Sequence, residues 1–162
     1  MGSKSFRMDI RAIQVFILKK YIMQITEIEE QIISEFENFD EWLDKYNYII
    51  ELGKSLAIIE ESEKTESNLI TGCQSKVWLQ ASYDNGKIIF KADSDAIITK
   101  GIVGLLIRVL SNQKVEDIMS AKLDFVDQIG LREHLSPTRS NGLMSMIKQM
   151  KLYALAFKTK YQ

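Results

Sequence analysis

The chain has 162 residues, of which 46% are hydrophobic and 27% charged, and it contains one cysteine and one histidine. This length and composition predict one soluble globular domain and argue against a disordered chain. A lone cysteine excludes an internal disulfide, and with a single histidine it also excludes the usual cysteine–histidine zinc sites. We therefore expect no metal site and a reducing compartment, the cytoplasm.

The net charge of −1 conceals an uneven distribution. Residues 1–22 carry five basic side chains and one acidic side chain, whereas residues 23–68 carry 13 acidic and three basic side chains, a net −10. This pattern lacks the basic face that binds nucleic acid, so we expect no nucleic-acid partner. The acidic stretch fits either a solvated helix face or a surface that attracts a basic partner.

The first 22 residues differ in character from the rest of the chain. Their apolar stretch, residues 13–18, ends at Lys19 and Lys20. It is too short for a signal peptide or for a membrane span, which needs about 20 apolar residues. We expect residues 1–22 to be an N-terminal extension that contributes little to function, residues 23–162 to form a single domain, and the protein to have no membrane contact.

Two helices are predicted after the extension. Thr26 and Glu29 have the spacing of a capping box, and Asn38 and Glu41 repeat it. Gly53 is expected to end the second helix. Apolar residues recur at helical spacing on one face of each helix. They are Ile25, Ile28, Ile32, Ile33 and Phe36 in the first helix and Trp42, Tyr46, Ile49 and Ile50 in the second.

A β-hairpin is predicted after a polar loop over residues 54–69. Apolar and polar residues alternate on both sides of Asn85-Gly86, a strong hairpin signal because both residues tolerate the positive φ of a type I′ turn. This turn places the segment before the first strand and the end of the second strand at the same edge. The predicted pairs are Asp84–Lys87, Ala81–Phe90 and Lys76–Asp95, and the predicted core face contains Val77, Leu79, Ala81, Tyr83, Ile88, Phe90 and Ala92.

Residues 96–110 predict a mostly apolar helix that begins at the same edge of the sheet. Gly101 and Gly104 each cost about 1 kcal/mol relative to alanine within a helix, which indicates close packing against a neighbour. A short helix near residues 115–121 and a mixed segment near residues 123–129 follow.

A long last helix is predicted to begin with Ser136 as N-cap and Pro137 at the first helical position. The predicted elements together indicate an α+β fold, a small antiparallel sheet packed by helices.

Cys73 is the strongest candidate for chemistry. It follows Gly72 and precedes the first predicted strand, where Lys76 and the start of the next helix come near. A positive charge or a helix N-terminus would stabilise a thiolate there. The alternative is a small buried hydrophobic residue, as many free cysteines are, in a pure interaction module.

Other polar side chains near this edge also have structural alternatives. His134 could be the base of a cysteine–histidine dyad in a thiol hydrolase, or it could pack and cap a turn. Asp93 and Asp95 are two residues apart and could share acid–base work, although capping of the next helix is the commoner role. The sequence contains neither the glycine-rich nucleotide motifs nor the HExxH zinc motif.

Several segments closely resemble the SufE family of sulfur-acceptor proteins. They are GCQSKVW at residues 72–78, DSDAIITKG at residues 93–101, HLSPTRSNGL at residues 134–143 and YNYIIELG at residues 46–53. The resemblance runs in unbroken order from about residue 23 to residue 157, and residues 1–22 have no counterpart in it.

The resemblance implies a fold similar to that of IscU-type scaffolds and a role in sulfur transfer. A SufS-type cysteine desulfurase would donate persulfide sulfur to Cys73 and be stimulated by the chain, and a SufBCD-type iron–sulfur cluster scaffold would receive the sulfur. The chain would be a sulfur-transfer partner with a cysteine persulfide intermediate, and it would not be an enzyme itself. It would hold no cofactor, because pyridoxal phosphate belongs to the desulfurase. The nearest alternative is an equivalent carrier for a parallel cysteine desulfurase. The resemblance does not decide whether the chain forms a homodimer.

The resemblance also implies which residues surround Cys73. A lone thiol suits a carrier, because no resolving cysteine can divert the persulfide into a disulfide. Gly72 is expected to let the backbone swing Cys73 between a shielded position and a partner's active site. For Asp95 and Arg139 the structural alternatives are a helix N-cap and a surface ion pair. The residues expected to shape the pocket or the docking surface are Gly72, Gln74, Lys76, Asp95, His134 and Arg139.

Overall fold

The computed structural model describes residues 9–14, 24–56 and 58–162. Helices pack around a three-stranded antiparallel sheet of order β1-β2-β3, which confirms the predicted α+β fold. The strands are β1 (Val77–Asp84), β2 (Lys87–Ser94) and β3 (Gln113–Lys114). The helices that follow residue 24 are α1 (Ile25–Phe36), α2 (Trp42–Lys54), α3 (Ile97–Leu110), α4 (Val115–Ser120), α5 (Phe125–Gln128), α6 (Leu131–His134) and α7 (Pro137–Tyr161).

The extension predicted for residues 1–22 lies outside the described residues, except for residues 9–14, of which residues 10–14 are helical. Within the described ranges, no helix is both long enough and apolar enough to span a membrane.

Helix α1 begins two residues earlier than its capping pattern indicates. Gln24 is the N-cap, and its side chain makes no capping hydrogen bond. The capping box predicted for Thr26 and Glu29 is therefore wrong, because both residues already lie inside the helix. Burial of Ile25, Ile32 and Phe36 against the core stabilises the helix in place of a cap.

The corner between α1 and α2 falls at the predicted place but is closed differently. The Asn38 side chain donates to the carbonyl oxygens of Ser34 and Glu35, at 3.4 and 3.2 Å, so it closes the C-terminal end of α1. Glu41 is the N-cap residue of α2 and makes no side-chain capping bond. The capping box predicted for Asn38 and Glu41 is wrong because Asn38 serves the preceding helix.

Glycine residues let α2 and α3 approach each other closely. A Cβ atom added to Gly101 would lie 2.2 Å from the carbonyl oxygen of Ile49, which confirms the predicted close packing at this glycine; one added to Gly104 would make only ordinary contacts, the nearest at 3.8 Å. A Cβ atom on Gly53 would lie 2.8 Å from the backbone nitrogen of Gly101. The helix continues past Gly53 to Lys54, so this glycine does not end α2 as predicted and provides space for α3 instead.

The hairpin follows the predicted register along its whole length. Asn85 and Gly86 have φ values of +49° and +84°, as the predicted turn requires. The predicted core face is confirmed, since its members are fully buried or packed against the core. The sequence pattern missed β3, whose two residues pair with Lys87 and Ile88 and are too short to show alternation.

The last helix begins as predicted. Pro137 occupies the first helical position, and the Ser136 hydroxyl accepts a hydrogen bond of 3.3 Å from the backbone N–H of Arg139. Its buried stripe faces α3 and α4, and contains Leu143, Met146, Ile147, Met150 and Ala154. Helix α7 thereby crosses the fold close to the edge of the hairpin where β1 begins.

Candidate functional site

Cys73 lies in a short loop, residues 71–75, that is fixed at both ends. Upstream of the loop, the backbone N–H of Ile70 donates to the carbonyl oxygen of Val77 at 2.9 Å. Downstream, the backbone N–H of Lys76 donates to Oδ1 of Asp95 at 3.0 Å, and the hydroxyl of Ser94 donates to the Lys76 carbonyl oxygen at 2.8 Å. The two ends of the hairpin therefore hold the loop, as the predicted register required.

Gly72 is the residue type that suits its position in this loop. Its φ of +97° lies in the left-handed region, which other residues rarely adopt. A Cβ atom would also lie 2.5 Å from Oγ of Ser145 on α7. Gly72 therefore lets the loop turn directly against the last helix.

The thiol of Cys73 points toward α7 and lines a cavity of about 60 Å³. Its Sγ atom lies 3.6 Å from the carbonyl oxygen of Gly142, within range of a weak S–H···O hydrogen bond. A Cβ atom on Gly142 would lie 3.6 Å from Sγ. The other residues that line the cavity are Gln74, Ser75, Thr99, Ile102, Thr138, Arg139 and Met146.

Burial raises the pKa of the Cys73 thiol above its ordinary value. This direction is opposite to the effect expected from Lys76 and from the start of the following helix. Lys76 is exposed and does not line the cavity, so it does not offset the desolvation of a thiolate. In this conformation the thiol is neutral near pH 7 and is shielded rather than activated.

Among the described residues, Arg139 is the one cationic side chain that lines the cavity. It is exposed, and with the described residues its guanidinium forms neither an ion pair nor a hydrogen bond. The surface ion pair that was the structural alternative is therefore not made in this part of the chain. The guanidinium is available to an anion at the mouth of the cavity.

Asp93, in β2, and Asp95, just after it, do not cap α3, so the interpretation favoured from the sequence is wrong. The N-cap of α3 is Ala96, without a side-chain hydrogen bond. Asp95 instead binds the backbone of Lys76 and closes the loop. Asp93 is buried and forms ion pairs with Lys64 and Lys100.

His134 lies apart from the thiol. Its ring stacks on Trp42 with centroids 4.4 Å apart, and Nδ1 lies 2.8 Å from the carbonyl oxygen of Gly130. It does not line the cavity that contains Cys73, so the packing interpretation describes its position and the cysteine–histidine dyad gains no support.

Apart from Arg139, sequence reasoning missed the residues that α3 and α7 contribute to the cavity. Thr138, Gly142 and Met146 follow each other at intervals of four residues, which places them on one face of α7. Thr99 and Ile102 share a face of α3 in the same way. The only sequence signal was Gly142, a small residue on the buried face of α7. It did not show that the Cys73 loop would pack against it.

A larger groove of about 600 Å³ lies away from Cys73, between α1 and the residues around α4 and α5. Its lining contains carboxylates, among them Glu29 and Asp124, but neither cysteine nor histidine. In the described part of the chain, no group of three or more histidine, cysteine, aspartate or glutamate side chains is arranged to hold a metal ion. The thiol and this larger groove are therefore in different places.

Comparison of the sequence with models of protein families identifies the family of this chain. The family model described as "SufE: Fe-S metabolism associated domain" matches residues 30–154. The chain belongs to the SufE family. Membership associates the protein with iron–sulfur metabolism, and the matched range includes Cys73 and every residue that lines its cavity.

Named SufE-like proteins are similar over most of the chain. SufE-like protein 1, chloroplastic/mitochondrial, of Arabidopsis thaliana is 36% identical over 132 residues, which cover 81% of this chain and 36% of that protein. The chain therefore spans about a third of the Arabidopsis protein. Uncharacterized SufE-like proteins of Rhizobium meliloti (strain 1021) and Rhizobium etli are 40% and 39% identical over 75% of this chain, and the matches cover 91% and 86% of those proteins.

A solved structure shares the fold. The solution structure of a hypothetical protein from Thermus thermophilus superposes with a TM-score of 0.68 at 19% sequence identity. The superposition covers 82% of this chain and 96% of that protein, so the two proteins share most of this fold.

Proposed function

We propose that this protein is a sulfur acceptor and carrier for iron–sulfur cluster assembly. Cys73 takes a persulfide sulfur from a SufS-type cysteine desulfurase, whose turnover rises as a result, and a SufBCD-type scaffold receives it. The observation that carries the proposal is the position of Cys73, which is half-buried beside a small cavity on a short loop fixed at both ends.

The size of the cavity favours a protein-bound sulfur over a free small-molecule substrate. Pockets that bind small molecules usually measure about 300–1,000 Å³, whereas this cavity measures about 60 Å³. A single water needs about 10–15 Å³ on a comparable measure, so one additional sulfur atom on Sγ fits. A self-sufficient thiol hydrolase is disfavoured for the same reason and because His134 lies elsewhere.

The transfer step requires no net oxidation or reduction. The Cys73 thiolate attacks the outer sulfur of the donor persulfide, the donor S–S bond breaks, and the donor leaves as a thiolate. The new S–S bond holds the sulfur on Cys73 until an acceptor thiolate repeats the exchange. The chain therefore carries sulfur without a resident cofactor and without turnover of its own.

The proposed function requires two conformations of the loop, one with Cys73 shielded in the cavity and one with Cys73 exposed to the partner. The raised pKa of the half-buried thiol disfavours the nucleophilic thiolate inside the cavity, and in the proposed mechanism Cys73 leaves the cavity to react. Return to the cavity then shields the persulfide from small thiols and oxidants. Gly72 is the proposed pivot, because glycine adopts both positive and negative φ values readily and its φ here is +97°.

The rim of the cavity is the proposed docking surface for the partner. Gln74 and Arg139 line the cavity and are exposed, and Lys76 is exposed beside it. We assign Arg139 the stabilisation of the persulfide anion as the loop moves. A reducing compartment such as the cytoplasm keeps the thiol free of disulfides, and the cavity protects the persulfide from the small thiols present there.

Intact-mass spectrometry tests the proposal. The protein is mixed with a catalytic amount of a SufS-type desulfurase and free cysteine, and Cys73→Ser is the control. We expect the wild-type chain to gain the mass of one sulfur atom, to lose it on reduction, and the control to gain nothing. An unchanged mass, when the same desulfurase is active with a small-thiol acceptor, would refute the proposal.

A further inference from the structure

Asp93 is a buried carboxylate that the sulfur-transfer chemistry does not use. Its side chain is 9% exposed, and it lies 2.8 Å from Nζ of Lys64 and 3.3 Å from Nζ of Lys100. A buried carboxylate without a charged or hydrogen-bonding partner is strongly disfavoured, so these two ion pairs are needed to keep it there. Burial alone would raise the pKa of Asp93, but hydrogen bonds from Lys64, the Ser94 backbone and Lys100 hold it below its ordinary value.

The first partner, Lys64, belongs to the segment that leads into the Cys73 loop. Its ammonium lies 5.6 Å from the centroid of the Trp78 ring, and Trp78 is the cross-strand neighbour of Asp93. A few residues later Leu69 forms a β-bridge with the same Trp78. The incoming segment therefore runs along the edge of β1, and the Lys64–Asp93 ion pair connects it to the neighbouring strand β2.

The second partner, Lys100, belongs to α3 on the other side of the carboxylate. It lies next to Thr99, which lines the cavity of Cys73. Asp93 thus joins the segment that delivers Cys73 to the helix that forms one wall of its cavity. Loss of the carboxylate would remove both ion pairs at once.

We propose that Asp93 is a positioning residue for Cys73: by holding Lys64 and Lys100 together, it fixes the incoming segment against α3 and so sets how well the thiol is shielded. The inference rests on the proposed function only for the purpose of the shielding. The shielding itself is a property of the isolated protein and is measured without any desulfurase.

The test measures the rate at which iodoacetamide alkylates Cys73 near neutral pH. Asp93→Asn removes both ion pairs, and we expect alkylation to become about three- to tenfold faster. Lys64→Met keeps an apolar side chain over Trp78 but removes one of the two ion pairs of Asp93, so it should give a smaller increase in the same direction. Asp93→Glu should restore most of the shielding, since it keeps the charge.

The matched control is Glu61→Gln, which removes the other ion-pair partner of Lys64. The Glu61 side chain is 87% exposed, and the Lys64–Asp93 contact is left intact. We expect alkylation at the wild-type rate. The double variant Asp93→Asn with Lys64→Met should react no faster than Asp93→Asn alone, because both changes act through one contact.

Urea distinguishes positioning from general destabilisation. Local release of the loop gives an alkylation rate that depends weakly on urea, whereas reaction through global unfolding rises steeply with it. A folded Asp93→Asn variant that reacts at the wild-type rate, or an increase with the steep urea dependence, would overturn the proposal. If Asp93→Asn fails to fold, Lys64→Met decides the question by the same criteria. An absent persulfide in the mass experiment would refute the proposed function and leave these rates unaffected.

Discussion

Replacing Gly142 with alanine should make the protein more stable and its thiol less accessible. Gly142 is a helical residue of α7, where alanine is favoured over glycine by about 1 kcal/mol. The added Cβ would meet its nearest neighbours, Sγ, Cα and Cβ of Cys73, at 3.6, 3.8 and 3.9 Å. These are ordinary contacts, so no steric cost offsets the gain.

The expected gain of about 1 kcal/mol corresponds to a rise in Tm of about 2–4 °C for a domain of this size. The new methyl group also occupies part of the cavity of about 60 Å³ beside Sγ. We expect iodoacetamide to alkylate Cys73 several-fold more slowly, and sulfur loading by the desulfurase to slow in parallel. Thermal unfolding followed by circular dichroism and intact-mass kinetics measure the two effects.

Asn141→Ala is the matched control. Asn141 precedes Gly142 on the same helix but is exposed, so alanine gains about 0.5 kcal/mol of helix propensity without entering the cavity. Its alkylation rate should equal that of the wild type. A stabilised Gly142→Ala variant whose thiol reacts at the wild-type rate would show that α7 does not shield Cys73, and the reasoning would fail.

Three further outcomes are expected. Gly101→Ala should lower the free energy of unfolding by at least about 2 kcal/mol in urea titrations, because its Cβ would lie 2.2 Å from the backbone oxygen of Ile49; unchanged stability would contradict the helix contact. The unfolding free energy of the wild type relative to Cys73→Ser should fall as pH rises above about 8.5, because the unfolded thiol ionises before the buried one; denaturation at a series of pH values measures it, and a difference independent of pH would refute the raised pKa. Arg139→Met should slow sulfur loading about tenfold, and Arg139→Lys should recover part of the rate; equal initial rates for all three proteins would argue against a role for the guanidinium.

The hairpin was predictable because its information is local. The turn at Asn85-Gly86 requires positive φ at two adjacent residues, and alternation on either side fixes the register. Ser136 and Pro137 marked the start of α7 for an equally local reason. The same reasoning failed at Asn38, whose side chain had two helix ends within reach and bound the carbonyls of the earlier one.

The surroundings of Cys73 were less predictable because they come from distant parts of the chain. Gly142, which accepts the contact from Sγ, lies 69 residues away in sequence. Asp93 has a helix start close by in sequence, but its partners come from the segment before β1 and from α3. The raised pKa of Cys73 follows from this packing, whereas the sequence showed only that Lys76 was near. Family resemblance supplied the position of Arg139, since its role at the cavity leaves no periodic signal.

The fixed ends of the loop also limit how far Cys73 can move. Cys73 is three residues from Ile70 on one side and from Lys76 on the other, and both of these are held by the hairpin. A fully extended chain advances at most about 3.3–3.6 Å per residue, so the Cα atom of Cys73 stays within about 11 Å of either anchor. In the proposed transfer, a donor or acceptor must therefore bring its own reacting sulfur atom to the surface of this protein. In that proposed transfer, any longer distance has to be covered by the partner, which either moves a mobile segment that holds its sulfur or docks closely against this chain.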